Sequence, residues 1–272
     1  MIATDQSLPP PDACHLSVVL PCANERDNLP PLLEELEPAL QALGCPFEVI
    51  CVDDGSTDGG WDVLRGLQAG RPWLRLFRHR TNFGQSASYC TGFRLARGEL
   101  VLTMDADRQH DPADIRRFLG ELRGDLAAVC GVRAGRHDNW VRRRSSQIAN
   151  GFNTWVTGDR VVDAGCTFRL IRKSALAELP VFNGQHRFLP TLLRLQGHQV
   201  LEIPVNHRQR PAGKSKYGIG NRLWRGILDC LAIRWYRQRA FPADRLAPGQ
   251  PGPSAAAPAT GATPAVTGEL KR

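Results

Sequence analysis

Apolar residues in this chain fall into short unbroken runs that end in proline or acids, separated by stretches in which leucines recur three and four apart. LSVVLP (Leu16 to Pro21) is such a run and predicts a buried strand stopped by proline. FEVICVDD (Phe47 to Asp54), LRLFRH (74 to 79) and LVLTM (Leu100 to Met104) predict three more strands. Between the first two, Leu32, Leu33, Leu36 and Leu40 share one face of a helix that Asn28 can cap. GSTDGGWDVLRGL turns through glycines into a second helix, and a third is predicted from Ser86 to Arg97. DLAAVCGVR (125 to 133) reads as a further strand, VVDAGCTFRLIRKSALAELP as a short strand and a helix, and FLPTLLRLQGHQVLEIPVNHR as helix, glycine turn and strand. A last helix is predicted from Asn221 to Arg239, with Leu223, Trp224, Ile227, Leu228, Leu231 and Trp235 on one face.

Strands and helices that alternate at this spacing imply a largely parallel sheet covered by helices, whose ligands sit at the carboxyl ends of the strands. Three of those ends are polar here: Pro21 to Glu25, Asp53 to Asp58, and Asp105 to Gln109. In the third, two carboxylates at i and i+2 are followed by an amide at i+4, so Asp105, Asp107 and Gln109 point to one side of an extended backbone. Hard oxygen donors so grouped suit Mg²⁺ or Mn²⁺ shared with substrate phosphates. A solvated turn with Asp111 capping the next helix at Pro112 accounts for the same letters.

Composition narrows the partners. The 272 residues carry a formal charge of +8, which asks for an anionic partner, and arginines cluster between Arg133 and Arg144 and between Arg208 and Arg239. A solvated basic surface is the alternative. No zinc-finger spacing or aromatic RNA-binding strand is present, so nucleic acid is not expected. Eight cysteines without Cys-x-x-Cys spacing argue against zinc and against a redox pair. Absence of Gly-x-Gly-x-x-Gly and of a glycine-lysine phosphate loop argues against dinucleotide and Walker-type sites. With no long apolar stretch, the chain is expected to stay in the cytoplasm. The run from 241 to 272, rich in proline, alanine, glycine and threonine, is expected to be disordered.

VVLPCANERDNL, VDDGSTDGG, NFGQSAS, MDADRQHDP, GCTFRLIRK and RPAGKSKYG, in this order, resemble a family 2 glycosyltransferase with the GT-A fold, nearest to the polyprenyl-phosphate group that includes dolichol-phosphate mannose synthases. The resemblance implies a lead (1 to 15), a catalytic domain (16 to 220), an interfacial helix (221 to 240) and a tail. It implies that Pro21, Ala23, Glu25, Asp53, Asp54, Asp105 and Ala106 line the nucleotide pocket, and that Asp105, Asp107 and Gln109 hold a divalent metal ion. Asn82, Gly84 and Gln85 match a loop after the third strand; a phosphate contact and a capping or packing role both stay open for Gln85, where relatives often carry lysine. Arg133, Arg142 and Ser146 fall at the lipid phosphate, and Arg210, Gly213, Ser215 and Lys216 match a loop that closes over the diphosphate, with Asp107, Arg210 and Lys216 as catalytic groups.

The implied reaction moves mannose or glucose from a GDP- or UDP-sugar to a polyprenyl phosphate, with inversion, at the inner membrane face. An anionic membrane surface and an integral membrane partner are the implied contacts. A phosphate acceptor is already ionised and needs no base, whereas a sugar hydroxyl does. Family members with hydroxyl acceptors carry an acidic pair where this chain reads NGQHRFLPTLL, with His186 and Arg187; Asp163 is the fallback base. A hydroxyl acceptor and an inactive membrane scaffold are the rival readings.

Overall fold

The computed structural model describes residues 15–133, 158–159, 161–208 and 219–240, with side chains of the last helix from Gly226 onward. The N-terminal lead, the tail, and the expected contributors Arg142, Ser146, Arg210, Gly213, Ser215 and Lys216 lie outside the described residues.

The strands are β1 (Leu16–Cys22), β2 (Phe47–Asp53), β3 (Leu74–Arg78), β4 (Leu100–Thr103), β5 (Leu126–Arg133), β6 (Arg169–Arg172) and β7 (Gln199–Val205). They form one seven-stranded sheet in the order β3-β2-β1-β4-β6-β5-β7, with only β6 antiparallel to its neighbours. The helices are α1 (Leu29–Gln41), α2 (Gly60–Gln68), α3 (Gln85–Leu95), α4 (Asp114–Glu121), α5 (Leu189–Leu195) and α6 (Ile219–Arg239). Because strand side chains alternate, Val18, Leu20, Val49, Cys51 and Leu102 face α1, α2 and α4, whereas Val19, Ile50, Val52 and Val101 face α3. On that second face, Ala128, Cys130 and Ile171 extend the packing to α5 and α6. The result is the expected three-layer α/β arrangement.

Two expected caps differ in detail. Asn28 stands at the N-cap of α1 but makes no side-chain cap bond; its Nδ2 donates to Glu25 Oε2 at 2.6 Å. Asp111 forms a turn, accepting from the Ala113 amide at 3.0 Å, and α4 begins only at Asp114. The segment expected to be a helix after β6 is a single 3-10 turn, Lys173–Leu176. The seven cysteines among the described residues are all free thiols.

Helix α6 packs on the same core as the sheet, through Cys230, Ile233 and the partly buried Tyr236. The sequence placed its apolar residues on one face, and the structure separates two. Leu228, Leu231 and Trp235 stand on the opposite side, 48%, 49% and 61% exposed. No helix among the described residues is long and apolar enough to cross a membrane.

Candidate active site

Since β2, β1 and β4 are adjacent and parallel, their carboxyl ends share one edge of the sheet. The chain leaves β1 toward β2 on one side and reaches β4 on the other. That reversal is the switch point where ligands bind on such sheets. The three polar strand ends of the sequence meet there.

Side-chain hydrogen bonds stitch the three loops at this edge together. Asn24, in the left-handed region at φ 54°, receives the Thr57 amide on its side-chain oxygen at 2.7 Å and donates its own amide to Ser56 Oγ at 2.9 Å. The Arg26 amide donates to Asp58 Oδ2 at 3.0 Å. Gly55, at φ +68°, closes against the β3–α3 loop, where a Cβ would stand 2.7 Å from the Thr81 carbonyl carbon. Sequence reading missed Asn24, Ser56 and Asp58 as the stitching residues; the signal was the run of small polar residues after each strand.

Asp53 is fully buried, accepts the Ser56 amide at 3.2 Å and lies 3.0 Å from Arg78 Nε. Its Oδ2 has no aligned hydrogen bond despite that proximity, which leaves a buried acceptor at the expected nucleotide position. Asp54 differs. Its Oδ1 meets His79 Nδ1 at 2.7 Å and the Phe83 amide at 2.9 Å, and its Oδ2 accepts the Gly84 amide at 2.7 Å. Asn82 Nδ2 adds a bond to its carbonyl at 3.1 Å. With both oxygens engaged inside the fold, Asp54 positions the Asn82–Gly84 loop instead of lining an open pocket.

That loop starts α3, and α3 reaches the acidic strand end. Gln85 Nε2 and the Tyr89 hydroxyl, one helical turn apart, both donate to Asp105 Oδ1, at 2.6 and 3.1 Å. Gln85, expected at a phosphate or in a capping or packing role, thus contacts the first carboxylate. Both bonds fall on Oδ1. Asp107 Oδ1 accepts the Gln109 amide at 3.2 Å, and Gln109 Nε2 donates to the Arg208 carbonyl at 3.4 Å, which points its amide oxygen the other way. Ala106 is buried between the two acids, and Pro21, Ala23 and Glu25 are half-buried on the neighbouring strand end. Among the described residues no three His, Cys, Asp or Glu side chains form a metal cluster. Two carboxylates and one amide oxygen still fit a hard divalent ion that takes its remaining ligands from phosphate and water.

Arg133, expected at an acceptor phosphate, donates Nε and Nη2 to the two oxygens of Asp163, each at 2.7 Å. Burial works against its charge, but Asp163 outweighs this and holds the guanidinium above its usual range. Asp163, the fallback base, is therefore a counter-ion. His186 is pushed down to about 3 by burial and by Arg187 and Arg169, so it is neutral; its Nδ1 is 2.7 Å from Ser86 Oγ. The turn around it lacks acids in sequence, yet α6 brings one: a Cβ at Gly184 would stand 2.7 Å from Asp229 Oδ2.

A mostly parallel sheet flanked by helices, with an acidic turn at its switch point, is the arrangement of the GT-A class of α/β proteins. The sequence model of "Glycosyl transferase family 2" matches residues 17–180, and the chain belongs to that family. It is 36% identical over 206 residues to the undecaprenyl-phosphate 4-deoxy-4-formamido-L-arabinose transferase of Edwardsiella ictaluri, covering 75% of this chain and 63% of that protein. It is also 36% identical over 240 residues to the dodecaprenyl-phosphate galacturonate synthase of Rhizobium johnstonii, covering 86% and 70%. Among solved structures, glucosyl-3-phosphoglycerate synthase from Mycobacterium tuberculosis, in complex with Mn²⁺, UDP and phosphoglyceric acid, superposes with a TM-score of 0.61 at 19% identity, over 83% of this chain and 79% of that one. A mannosyltransferase from Pyrobaculum calidifontis in complex with GDP-mannose and Mn²⁺ gives 0.57 at 20% identity, over 88% and 67%. These two likenesses carry the fold.

Proposed function

We propose that this chain transfers a sugar from a nucleoside-diphosphate sugar to a polyprenyl phosphate, with inversion, using Mg²⁺ or Mn²⁺ held by Asp105, Asp107 and Gln109. The observation that carries the reading is the braced Asp105–Gln109 strand end at the switch point. The polyprenyl-phosphate sugar transferases among the relatives support the acceptor class, and the Mn²⁺ complexes among the structural neighbours support the metal. When bound, the ion would neutralise charge that develops on the departing diphosphate. Asp53 and the strand ends around Pro21 to Glu25 would hold the nucleoside, and Gln85 and Tyr89 would keep Asp105 aimed. Arg210 and Lys216 are proposed for the leaving diphosphate, and Arg133, Arg142 and Ser146 for the acceptor. The donor is GDP- or UDP-linked; mannose and glucose came from the resemblance, while the relatives' names extend the range to a formamido-arabinose and galacturonate.

A transfer assay with radiolabelled nucleotide sugars, offered polyprenyl phosphate or polyprenol, tests this. Label should pass to the phosphate and not to the alcohol. Among the described residues, Asp229 gives the hydroxyl-acceptor alternative its structural support, because it brings a carboxylate to the turn at Gly184. Transfer to polyprenol that Asp229→Asn abolishes would establish that alternative.

The proposed location is the inner face of the cytoplasmic membrane, reached through α6. Leu228, Leu231 and Trp235 offer an apolar stripe, and the exposed Arg234 and Arg239 near it suit anionic headgroups. Removing the whole helix would strip Cys230 and Ile233 from the core, so the test is Leu228→Ser/Leu231→Ser/Trp235→Ser. At about 1 kcal/mol for each half-exposed side chain, flotation with anionic liposomes should weaken by about 100-fold. Unchanged flotation would remove α6 from membrane contact.

A further inference from the structure

Arg108 lies between two of the proposed metal ligands and takes a conformation that residues with a Cβ avoid, at φ 61°. Asp107 precedes it and Gln109 follows it, so this left-handed backbone sets the angle between their side chains. Arg108 donates Nη2 to Glu35 Oε1 on α1. The other oxygen of Glu35 accepts Arg208 Nη1 at 2.7 Å, and Arg208 Nη2 lies 3.0 Å from Asp111 Oδ2. The Arg208 amide also donates to the Gln109 carbonyl at 2.8 Å, and the Arg208 carbonyl accepts Gln109 Nε2. One carboxylate on α1 thus receives an arginine from within the acidic turn and another from the segment that follows β7.

We propose that Glu35 is a positioning residue for this turn: by holding Arg108 it keeps the backbone between Asp107 and Gln109 left-handed, and so keeps both side chains converging on one site. The inference rests on the proposed metal reading for its functional readout, and on the backbone alone for its conformational one. Although burial opposes it, hydrogen bonds from Arg108 and Arg208 hold the Glu35 carboxyl below its usual range, so the clip stays charged at neutral pH. The pairs are partly exposed, and pairs of that kind add little to global stability. The effect of Glu35 should therefore appear at the site and not in Tm.

The test uses the full chain as wild type, Glu35→Ala, Arg108→Gly and the double variant. Mn²⁺ binding is followed by electron paramagnetic resonance in the presence of GDP or UDP, and amide exchange of residues 105–111 is followed in metal-free protein. Glu35→Ala should weaken Mn²⁺ binding by about 10-fold, as losses behind metal ligands do. It should also speed exchange in the acidic turn while leaving Tm nearly unchanged. Glycine enters the left-handed region without steric opposition, so in the Arg108→Gly background the same change should add less than about 2-fold. Equal Mn²⁺ affinity and exchange in wild type and Glu35→Ala would overturn the proposal. So would a loss of equal size in both backgrounds, because Glu35 would then act by another route. The wild-type titration separately tests the metal reading. If wild type takes up no Mn²⁺ with either nucleotide, that reading fails and the exchange rates alone decide the role of Glu35.

Discussion

Asp107→Ala is expected to lower turnover by about two orders of magnitude or more while Tm moves little, because a half-buried strand-end carboxylate contributes charge to the site and little packing to the core. Asp107→Asn sharpens the test. The amide keeps an oxygen for the Gln109 amide, so the turn closes as before, and only the charge is lost. If charge is what matters, asparagine should be nearly as impaired as alanine, in kcat more than in nucleotide affinity. Undiminished turnover of either variant in excess chelator would end the metal reading. Recovery in asparagine but not alanine would reduce Asp107 to a residue that shapes the turn.

Asp54→Ala should have the largest effect on stability. It strands the amides of Phe83 and Gly84 and the ring nitrogen of His79 in a nearly closed space, since all three converge on that carboxylate. A stranded buried donor costs about 1–3 kcal/mol, so a loss of roughly 3 kcal/mol or more is expected, and Tm should fall by about 6–12 °C. Activity should fall too, because the freed loop carries Gln85, which donates to Asp105. Thermal denaturation and steady-state kinetics of one preparation check both effects. A Tm within 2 °C of wild type would mean that the loop is held by Gly55 and the sheet edge without Asp54.

Most of the sheet could be read in the sequence, because buried parallel strands are written as continuous apolar runs and the terminating acids marked their ends. The place of β6 could not. RLIR is four residues long and carries two arginines, yet Arg169 is only 1% exposed, donating to the carbonyls of His186 and Ala164. A buried arginine satisfied by distant backbone oxygens leaves no pattern in the sequence, so the antiparallel insertion between β4 and β5 was invisible. The acids after β4 were legible as letters, but their expected extended, period-two geometry is not what forms: β4 ends at Thr103, the chain turns at 106–108, and Arg108 is left-handed at φ 61°. The resemblance put Asp54 beside Asp53 in the pocket, and only the fold shows that the next loop engages both of its oxygens. The covered face of α6, with Cys230 and Ile233, was missed because helical spacing groups residues on one side and says nothing of what covers them.

The contact between α3 and β1 has a wider consequence. A Cβ at Gly92 would stand only 2.2 Å from Val19 Cγ1, so the Val19 side chain on β1 seats directly against the backbone of α3. The helix that aims Gln85 and Tyr89 at Asp105 is therefore keyed directly to β1, and the groups that brace Asp105 take their alignment from the centre of the sheet. The turn at Gly184 is tied to the same helix, its amide donating to Ser86 Oγ at 3.0 Å, so the neighbourhood of His186 shifts only if α3 does.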